Sequence, residues 1–123
     1  PGGGSALVKV ANSFNDLLKE ENADLSEGEK VGAKIVQNAL VAPLRQIAAN
    51  AGITDISLIV NDIKEISDPN SGYDFNTGKK VDMVASGIID PLKVTRSAVE
   101  NAASVASLLL TTEAAITDLP KKE

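Results

Sequence analysis

Apolar residues recur at helical spacing through most of the chain, which predicts several amphipathic helices. The first spans residues 5–20, with Asn, Asp, Ser and Lys on the face opposite the apolar one. Residues 26–29, Ser-Glu-Gly-Glu, match a capping box and predict the start of a second helix, whose apolar stripe continues to Leu40. Pro43 has no N–H, so it ends that helix and favours the start of a third, which Gly52 terminates.

The segment 55–66 is compatible with a helix or with a strand. In the helix, Asp55 is the cap and four isoleucines share one face. In the strand, the adjoining large apolar residues of 57–60 form an extended segment. We favour the helix because the i, i+3, i+7 pattern continues past residue 60.

The centre of the sequence changes from helical to turn-rich patterning. Residues 67–72 are dense in Ser, Asp, Pro, Asn and Gly, and residues 73–81 predict a short β-hairpin. Tyr73 and Phe75 alternate with polar residues there, so one face could pack and the other could contact a ligand. For either ring considered singly, the pattern favours packing in the core or the turn. A short helical turn over 82–86 is expected to end at Gly87.

The longest predicted helix runs over residues 91–111. Asp90 is expected to cap it and Pro91 to occupy its first position. Two adjacent apolar stripes on this helix predict a central element that is buried on most sides. Residues 115–119 predict an edge strand after it.

Composition narrows the possible functions. The 123 residues allow one small domain, and 12 Lys and Arg against 17 Asp and Glu give a net charge of −5. This acidity argues against nucleic acid or a membrane surface as the partner, because both need a basic footprint. The absence of Cys and His excludes thiolate zinc sites, a cysteine nucleophile and a histidine base. No signal peptide or membrane-length apolar run is present, and the missing initiator Met indicates a piece of a longer protein or a processed one.

Three features could carry chemistry when each is considered singly. The glycines before the first helix leave N–H groups that suit a phosphate. As a bare pattern they favour a flexible fragment end or a tight turn, because the Lys-Ser/Thr of a nucleotide-binding loop and a preceding strand are missing. Asp90 could accept hydrogen bonds from ligand hydroxyls, or act only as a cap. Arg45 is a solvated charge or an interface anchor. No pair of carboxylates stands out, so we expect neither a catalytic residue nor a metal ligand.

Short motifs and their order along the chain say more about its family than the helical periodicity of its apolar residues does. The motifs PGGG at 1–4, PLRQIA at 43–48, NAG at 50–52, GYD at 72–74, GIIDPLKVTRSA at 87–98, NAASVA at 101–106 and LLTTE at 109–113 stand in order. Together they resemble the C-terminal part of group I chaperonins, the GroEL-type heat-shock proteins, over nearly the whole chain. The resemblance implies a mainly α fold: a multi-helical fragment, the C-terminal half of the equatorial domain over residues 1–123, with a short β-hairpin.

The resemblance also implies a nucleotide site, in which the glycine turn approaches the phosphates, the segment after the glycine–tyrosine pair lies against adenine, and an Ile-x-Asp motif contacts base and ribose. The residues it assigns to this site are Gly2, Gly3, Tyr73, Asp74, Phe75, Asn76, Ile88 and Asp90. Family members often have small residues where Phe75 stands. The loop 20–29 is longer and more acidic than is usual in the family.

By the same resemblance, the parent protein binds ATP or ADP with magnesium. The Gly-Asp-Gly-Thr-Thr-Thr loop that holds phosphates and magnesium in the family is not in this sequence, and its water-positioning Asp is expected upstream. We therefore expect the chain by itself to bind no nucleotide tightly, to hydrolyse no ATP and to refold no clients.

Partners and location follow from the same resemblance. The parent is expected to contact other chaperonin subunits, a co-chaperonin and unfolded protein clients, with residues 45–56 at a ring-to-ring contact. Its location would be the bacterial cytoplasm, or alternatively a mitochondrion or chloroplast. Exposed apolar stripes predict self-association of the chain alone. The alternative function is a freestanding helical interaction or oligomerisation module without ATPase activity.

Overall fold

The computed structural model describes residues 1–19 and 24–117. The chain divides into two compact units, Pro1–Asp90 and Pro91–Glu123. In the described residues the elements are α1 (Ser5–Leu17), α2 (Glu27–Ala39), α3 (Ala42–Asn50), α4 (Ser57–Glu65), β1 (Ser71–Asp74), β2 (Lys79–Asp82) and α5 (Leu92–Thr111). The predicted mainly α fold with a short hairpin is confirmed.

The first unit is organised around α1, which packs against α2, α4 and β1. Its core is made of apolar side chains that are almost completely removed from water: Val8, Ala11, Leu40, Val41, Leu44, Ala48, Ile56, Val60, Ile63 and Met83. Every helix of this unit except α2 contributes at least two of these residues, and none of them is aromatic. The core is therefore built from small and branched side chains that let the helices approach closely.

Polar side chains link the helices at the edge of this core. Gln37 of α2 is only 9% exposed, and its Nε2 donates to the Ala11 carbonyl at 2.9 Å and to Asn15 Oδ1 at 2.8 Å. Asp62 of α4 pairs with Lys80 of β2 at 2.7 Å, which ties the hairpin to the helix. Because the Gln37 amide is buried, its two hydrogen bonds to Ala11 and Asn15 offset the cost of removing the amide from water.

The capping box before α2 is confirmed. Ser26 Oγ accepts a hydrogen bond from the Glu29 N–H at 3.3 Å, and Glu29 Oε2 accepts one from the Ser26 N–H at 2.8 Å. The bond from the Ser26 backbone is the main cause of a lowered pKa for the Glu29 carboxyl. Beyond the cap, Val31 and Ile35 of the predicted apolar stripe are 60% and 64% exposed. α1 ends at Leu17, before the predicted end at residue 20, which lies outside the described residues.

The predicted break near Pro43 and the helical assignment of 55–66 are both confirmed. α3 carries Pro43 in its first turn, and Gly52 leaves the helix with a φ of 79°. The prediction that Asp55 caps α4 is wrong, because Ile56 occupies the N-cap position. Asp55 instead accepts a hydrogen bond from the Ser57 N–H at 3.0 Å, which lowers the pKa of its carboxyl.

The predicted hairpin is confirmed, with β1 and β2 antiparallel and Tyr73 opposite Lys80. The helical turn expected over 82–86 is a turn without helix: the Ser86 N–H donates to the Asp82 carbonyl at 3.0 Å, and Gly87 leaves it with a φ of 72°. The chain then runs without regular structure over residues 88–90.

The second unit contains α5. The prediction that Asp90 caps it is wrong, because Pro91 is the N-cap residue, with an extended ψ of 124°. The prediction of a buried central helix is also wrong for this chain, since no residue of α5 is buried. Apolar stripes are buried only when other elements cover them, and this unit has no other element among its described residues.

The edge strand predicted over residues 115–119 is absent from its described part. Residues 115–117 form no strand, and residues 118 and 119 lie outside the described residues. Among the residues described, no helix combines the length and the apolar character that crossing a bilayer requires.

Replacing Ser26 with Ala tests the capping box. The variant loses the oxygen that accepts the Glu29 N–H, so we expect the free energy of unfolding to fall by about 1 kcal/mol. Urea unfolding followed by circular dichroism measures this change. Ser26→Asp keeps an acceptor at the same place and serves as the matched control. Equal stability of Ser26→Ala and wild type would contradict the role of the cap.

Replacing Gly72 with Ala tests the close packing between β1 and α1. A Cβ at Gly72 would overlap Ser5 Oγ and would lie 2.6 Å from Met83 Cγ, so we expect destabilisation of about 1–3 kcal/mol. The control is Gly32→Ala within α2, where a Cβ meets nothing within 4 Å and helix propensity predicts a gain of about 0.5–1 kcal/mol. The same urea titration compares both variants. Opposite signs are expected, and a Gly72→Ala variant as stable as Gly32→Ala would show that the packing is looser.

Candidate functional site

A glycine turn leads into α1, and its backbone requires glycine. Gly3 and Gly4 have φ values of 62° and 78°, in the left-handed region that side chains with a Cβ disfavour. A Cβ at Gly4 would also lie 2.7 Å from the Leu44 backbone nitrogen of α3. The turn is closed by the Ser5 N–H, which donates to the Gly2 carbonyl at 3.1 Å.

The glycine turn lies directly against the segment 88–90. The Gly2 N–H donates to the Ile88 carbonyl at 2.9 Å, and a Cβ at Gly2 would lie 3.1 Å from that same carbonyl group. Gly2 is buried by this contact. Two stretches that are more than eighty residues apart in sequence are therefore joined backbone to backbone.

The hairpin reaches the same place from a third direction. A Cβ at Gly3 would lie 4.0 Å from the Tyr73 carbonyl oxygen, 3.9 Å from Ile88 Cγ2 and 3.2 Å from Met83 Cε. The sequence-predicted residues Gly2, Gly3, Tyr73 and Ile88 are therefore brought together in the first unit.

The remaining hairpin residues form the turn that follows β1. The Asp74 carboxylate accepts hydrogen bonds from Thr77 Oγ1 at 2.7 Å and from the Asn76 N–H at 2.9 Å. The Thr77 hydroxyl is the main cause, and the Asn76 N–H the second, of a lowered pKa for the Asp74 carboxyl. Phe75 packs its ring against that of Tyr73, with centroids 5.0 Å apart and planes tilted by 60°. Asp74 and Asn76 thus hold the turn, and the two rings stabilise each other.

Asp90 stands at the end of the segment that contacts the glycine turn. The Ile88 N–H donates to the Met83 carbonyl at 2.8 Å, which fixes the start of this segment. Asp90 is exposed, and within the described residues its carboxylate makes no hydrogen bond or ion pair. This carboxylate is therefore free to accept hydrogen bonds from a ligand. Within the described residues, neither Asp90 nor Asn76 makes a hydrogen bond to the glycine turn.

Met83 and Ser5 are important to the site, and the sequence analysis missed both. Met83 is fully buried, and its N–H donates to the Asn70 carbonyl at 2.9 Å, so it fills the space beneath the glycine turn and the hairpin. Ser5 is also fully buried, and its Oγ has no hydrogen-bond partner among the described residues. One feature of the sequence could have indicated Met83: it is the only methionine of the chain and follows Val81 by two residues, the spacing of side chains on one face of a strand.

The arrangement fits an anionic, phosphate-bearing ligand. The N-terminus of α1 presents backbone N–H groups at the positive end of the helix dipole, and its first turn contains no acidic residue. The Gly3 and Gly4 N–H groups have no backbone acceptor within the part of the chain that the structure describes. No group of three or more potential metal ligands (Asp, Glu, His or Cys) occurs in those residues either.

Comparison with known proteins identifies the family and the fold of this chain. The sequence profile of the TCP-1/cpn60 chaperonin family matches residues 1–120. The fold is similar to the crystal structure of a group III chaperonin in the open state, with a TM-score of 0.80 and 32% sequence identity. The match covers 94% of this chain and 23% of that one, so this chain spans about a quarter of the length of the chaperonin it matches.

The family profile covers nearly the whole chain, since it matches residues 1–120. The mainly helical fold with its hairpin is similar to that of the chaperonin structure. The chain therefore belongs to the TCP-1/cpn60 chaperonin family.

Proposed function

We propose that this chain is the C-terminal part of the equatorial domain of a group I, GroEL-type chaperonin and contributes one wall of its ATP site. One observation carries the proposal: the glycine turn, the hairpin and the segment 88–90 meet through the Gly2–Ile88 hydrogen bond and the packing around Gly3. The order of the motifs from PGGG to LLTTE favours group I within the family.

The glycine turn would hold the phosphates. A phosphate oxygen near the N-terminus of α1 would accept hydrogen bonds from backbone N–H groups and would lie at the positive end of the helix dipole. Gly3 suits this role because any side chain there would be strained at a φ of 62° and would contact Met83. The close backbone approach therefore depends on glycine.

The base and ribose would lie between the hairpin and the segment 88–90. Tyr73 and Phe75 provide two rings in contact, with planes tilted by 60°, and Asn76 follows them in the turn. On the other side, Ile88 offers an apolar contact and the free Asp90 carboxylate offers an acceptor for ribose hydroxyls. Asp74 serves this wall indirectly, since its carboxylate holds the turn through Asn76 and Thr77.

Magnesium, when bound with ATP in the parent protein, supplies the charge that stabilises the transferring phosphoryl group. The residues of this chain would orient the nucleotide, and the metal-binding loop of the family would come from outside the sequence given. We propose that the chain by itself neither hydrolyses ATP nor refolds client proteins.

Assembly follows from the same proposal. The parent would pack with other chaperonin subunits, with residues 45–56 at a contact between rings, and would act with a co-chaperonin on unfolded clients. The bacterial cytoplasm is the proposed location, with a mitochondrion or chloroplast as the alternative. The exposed Leu92, Leu108 and Leu110 of α5 favour self-association of the chain alone.

A second function is supported by the exposure of α5. A freestanding helical interaction or oligomerisation module would use its apolar stripes to bind a partner and would not need the nucleotide wall. The two functions differ in the role of the glycine turn, which is a phosphate site in the first and a packing device in the second.

The reading frame upstream of residue 1 discriminates between the two functions, and an ATPase assay tests whether the chain alone holds only one wall of the site. We expect the frame to encode the Gly-Asp-Gly-Thr-Thr-Thr loop, and the chain alone to release phosphate from ATP only at the rate of the buffer control. An independent start codon beside residue 1 would favour the module. Turnover by the chain alone at the rate of an intact chaperonin would contradict the proposal of a single wall.

Replacing Asp90 with Ala in the full-length protein tests the ribose contact. Loss of a charged acceptor should weaken ADP binding about tenfold or more, because a hydrogen bond to a charged group contributes about 1.5–3 kcal/mol. Fluorescent-nucleotide displacement measures the affinity. The matched control is Glu65→Ala, which removes an exposed carboxylate of α4 that is not assigned to the nucleotide wall. Unchanged ADP affinity in Asp90→Ala would remove Asp90 from the site.

A further inference from the structure

Aromatic side chains are rare in this chain, and two of the three lie at or directly after the end of β1. Tyr73 and Phe75 are only partly buried, and the core of the first unit contains no aromatic residue. Their ring centroids are 5.0 Å apart, with planes tilted by 60°. Because this contact uses at most one face of each ring, the pair still offers an aromatic face to a ligand.

The turn that carries Phe75 is held in place by hydrogen bonds. The Gly78 N–H donates to the Asp74 carbonyl at 2.8 Å, and the Gly78 φ of 69° suits glycine. The Asp74 carboxylate also accepts hydrogen bonds from the Asn76 N–H and from Thr77 Oγ1. A ligand that contacts the ring would therefore meet a preformed surface, which lowers the conformational entropy lost on binding.

The aromatic pair lies beside the glycine turn. The Tyr73 carbonyl oxygen is 4.0 Å from the position of a Cβ on Gly3. A nucleotide combines an anionic phosphate with a planar base, and these are the two groups that a helix N-terminus and an aromatic face suit. The inference below rests on the proposed function, which places the phosphates at the glycine turn and the base at the hairpin.

The polar groups of the hairpin are poorly suited to selecting one particular base. Both oxygens of the Asp74 carboxylate already accept hydrogen bonds within the turn. The Lys80 ammonium, opposite Tyr73 in the hairpin, pairs with Asp62 at 2.7 Å. The Asn76 amide carries donors and an acceptor, so it can pair with the edge of adenine or of guanine. These side chains of the hairpin therefore favour neither purine over the other.

We propose that the base of the nucleotide stacks on the Phe75 ring, which Tyr73 supports, and that this wall accepts purine nucleotides with little discrimination between adenine and guanine. Stacking uses the π face, which every base has, whereas discrimination between bases requires hydrogen bonds to their edges. Phe75 thus contributes affinity for the nucleotide, and the hairpin contributes little base specificity.

Competition binding to the full-length protein tests the base tolerance. A fluorescent ADP that is labelled on its ribose is displaced by ADP, by GDP or by pyrophosphate, which has no base. We expect ADP and GDP to bind within about tenfold of each other, because both bases stack. Pyrophosphate should bind about tenfold or more weakly than either nucleotide, because it lacks the stacking contact.

Variants of the two phenylalanines test the stacking. Phe75→Leu should weaken the binding of ADP and of GDP by the same factor, about tenfold, while Phe75→Trp keeps an aromatic face and should retain the affinity. Phe14→Leu makes the same change at the other phenylalanine of the chain, in α1, and is the matched control with unchanged affinity. Circular dichroism checks that each variant is folded. The affinity for pyrophosphate should be the same in every variant, because a merely structural change at the hairpin would disturb the phosphate site as well.

The stacking contact is overturned if Phe75→Leu leaves ADP affinity unchanged, if Phe75→Trp weakens it as much as Phe75→Leu, or if pyrophosphate loses as much affinity as ADP. A GDP affinity more than about tenfold below that of ADP would show that a base edge is read, which contradicts the tolerance. Each of these results leaves the nucleotide wall in place. A wild-type protein that binds no ADP at all would overturn the wall and this inference together.

Discussion

The contact between the Gly2 N–H and the Ile88 carbonyl is the constraint on which the arrangement of the first unit depends. It holds the entrance to α1 against the segment that precedes the second unit. A side chain would crowd this approach, because a Cβ on Gly2 would lie 3.1 Å from the Ile88 backbone and one on Gly3 would lie 3.2 Å from Met83 Cε. The glycine turn therefore acts first as a packing element. Its free N–H groups are a consequence of the same geometry.

Packing and the proposed nucleotide wall share the same residues. Met83 fills the space below the glycine turn, while its backbone links Asn70 to Ile88. A ligand on the turn would thus rest on a buried and hydrogen-bonded foundation, which is the condition for a precisely held site. Asp74 acts at the edge of the wall, where it orders the turn that carries Phe75.

The two units differ in how they use their apolar residues. The first buries them between helices that are linked by Gln37 and by the pair of Asp62 and Lys80. The second exposes them along α5, where no residue is buried. Membership of the chaperonin family, with a match to 23% of one solved chaperonin, is consistent with apolar faces that pack against other parts of an assembly.

Local signals in the sequence determined most of the helices, the capping box, the hairpin and the left-handed exit at Gly52, because each depends on residues that are neighbours along the chain. Its motifs also brought together the residues of the proposed nucleotide wall, although periodicity alone did not. The burial of Gln37 and the place of Met83 beneath the glycine turn were decided by tertiary structure. So was the exposure of α5: an apolar stripe specifies that a helix needs a partner, but the chain that surrounds the helix decides whether the stripe is covered.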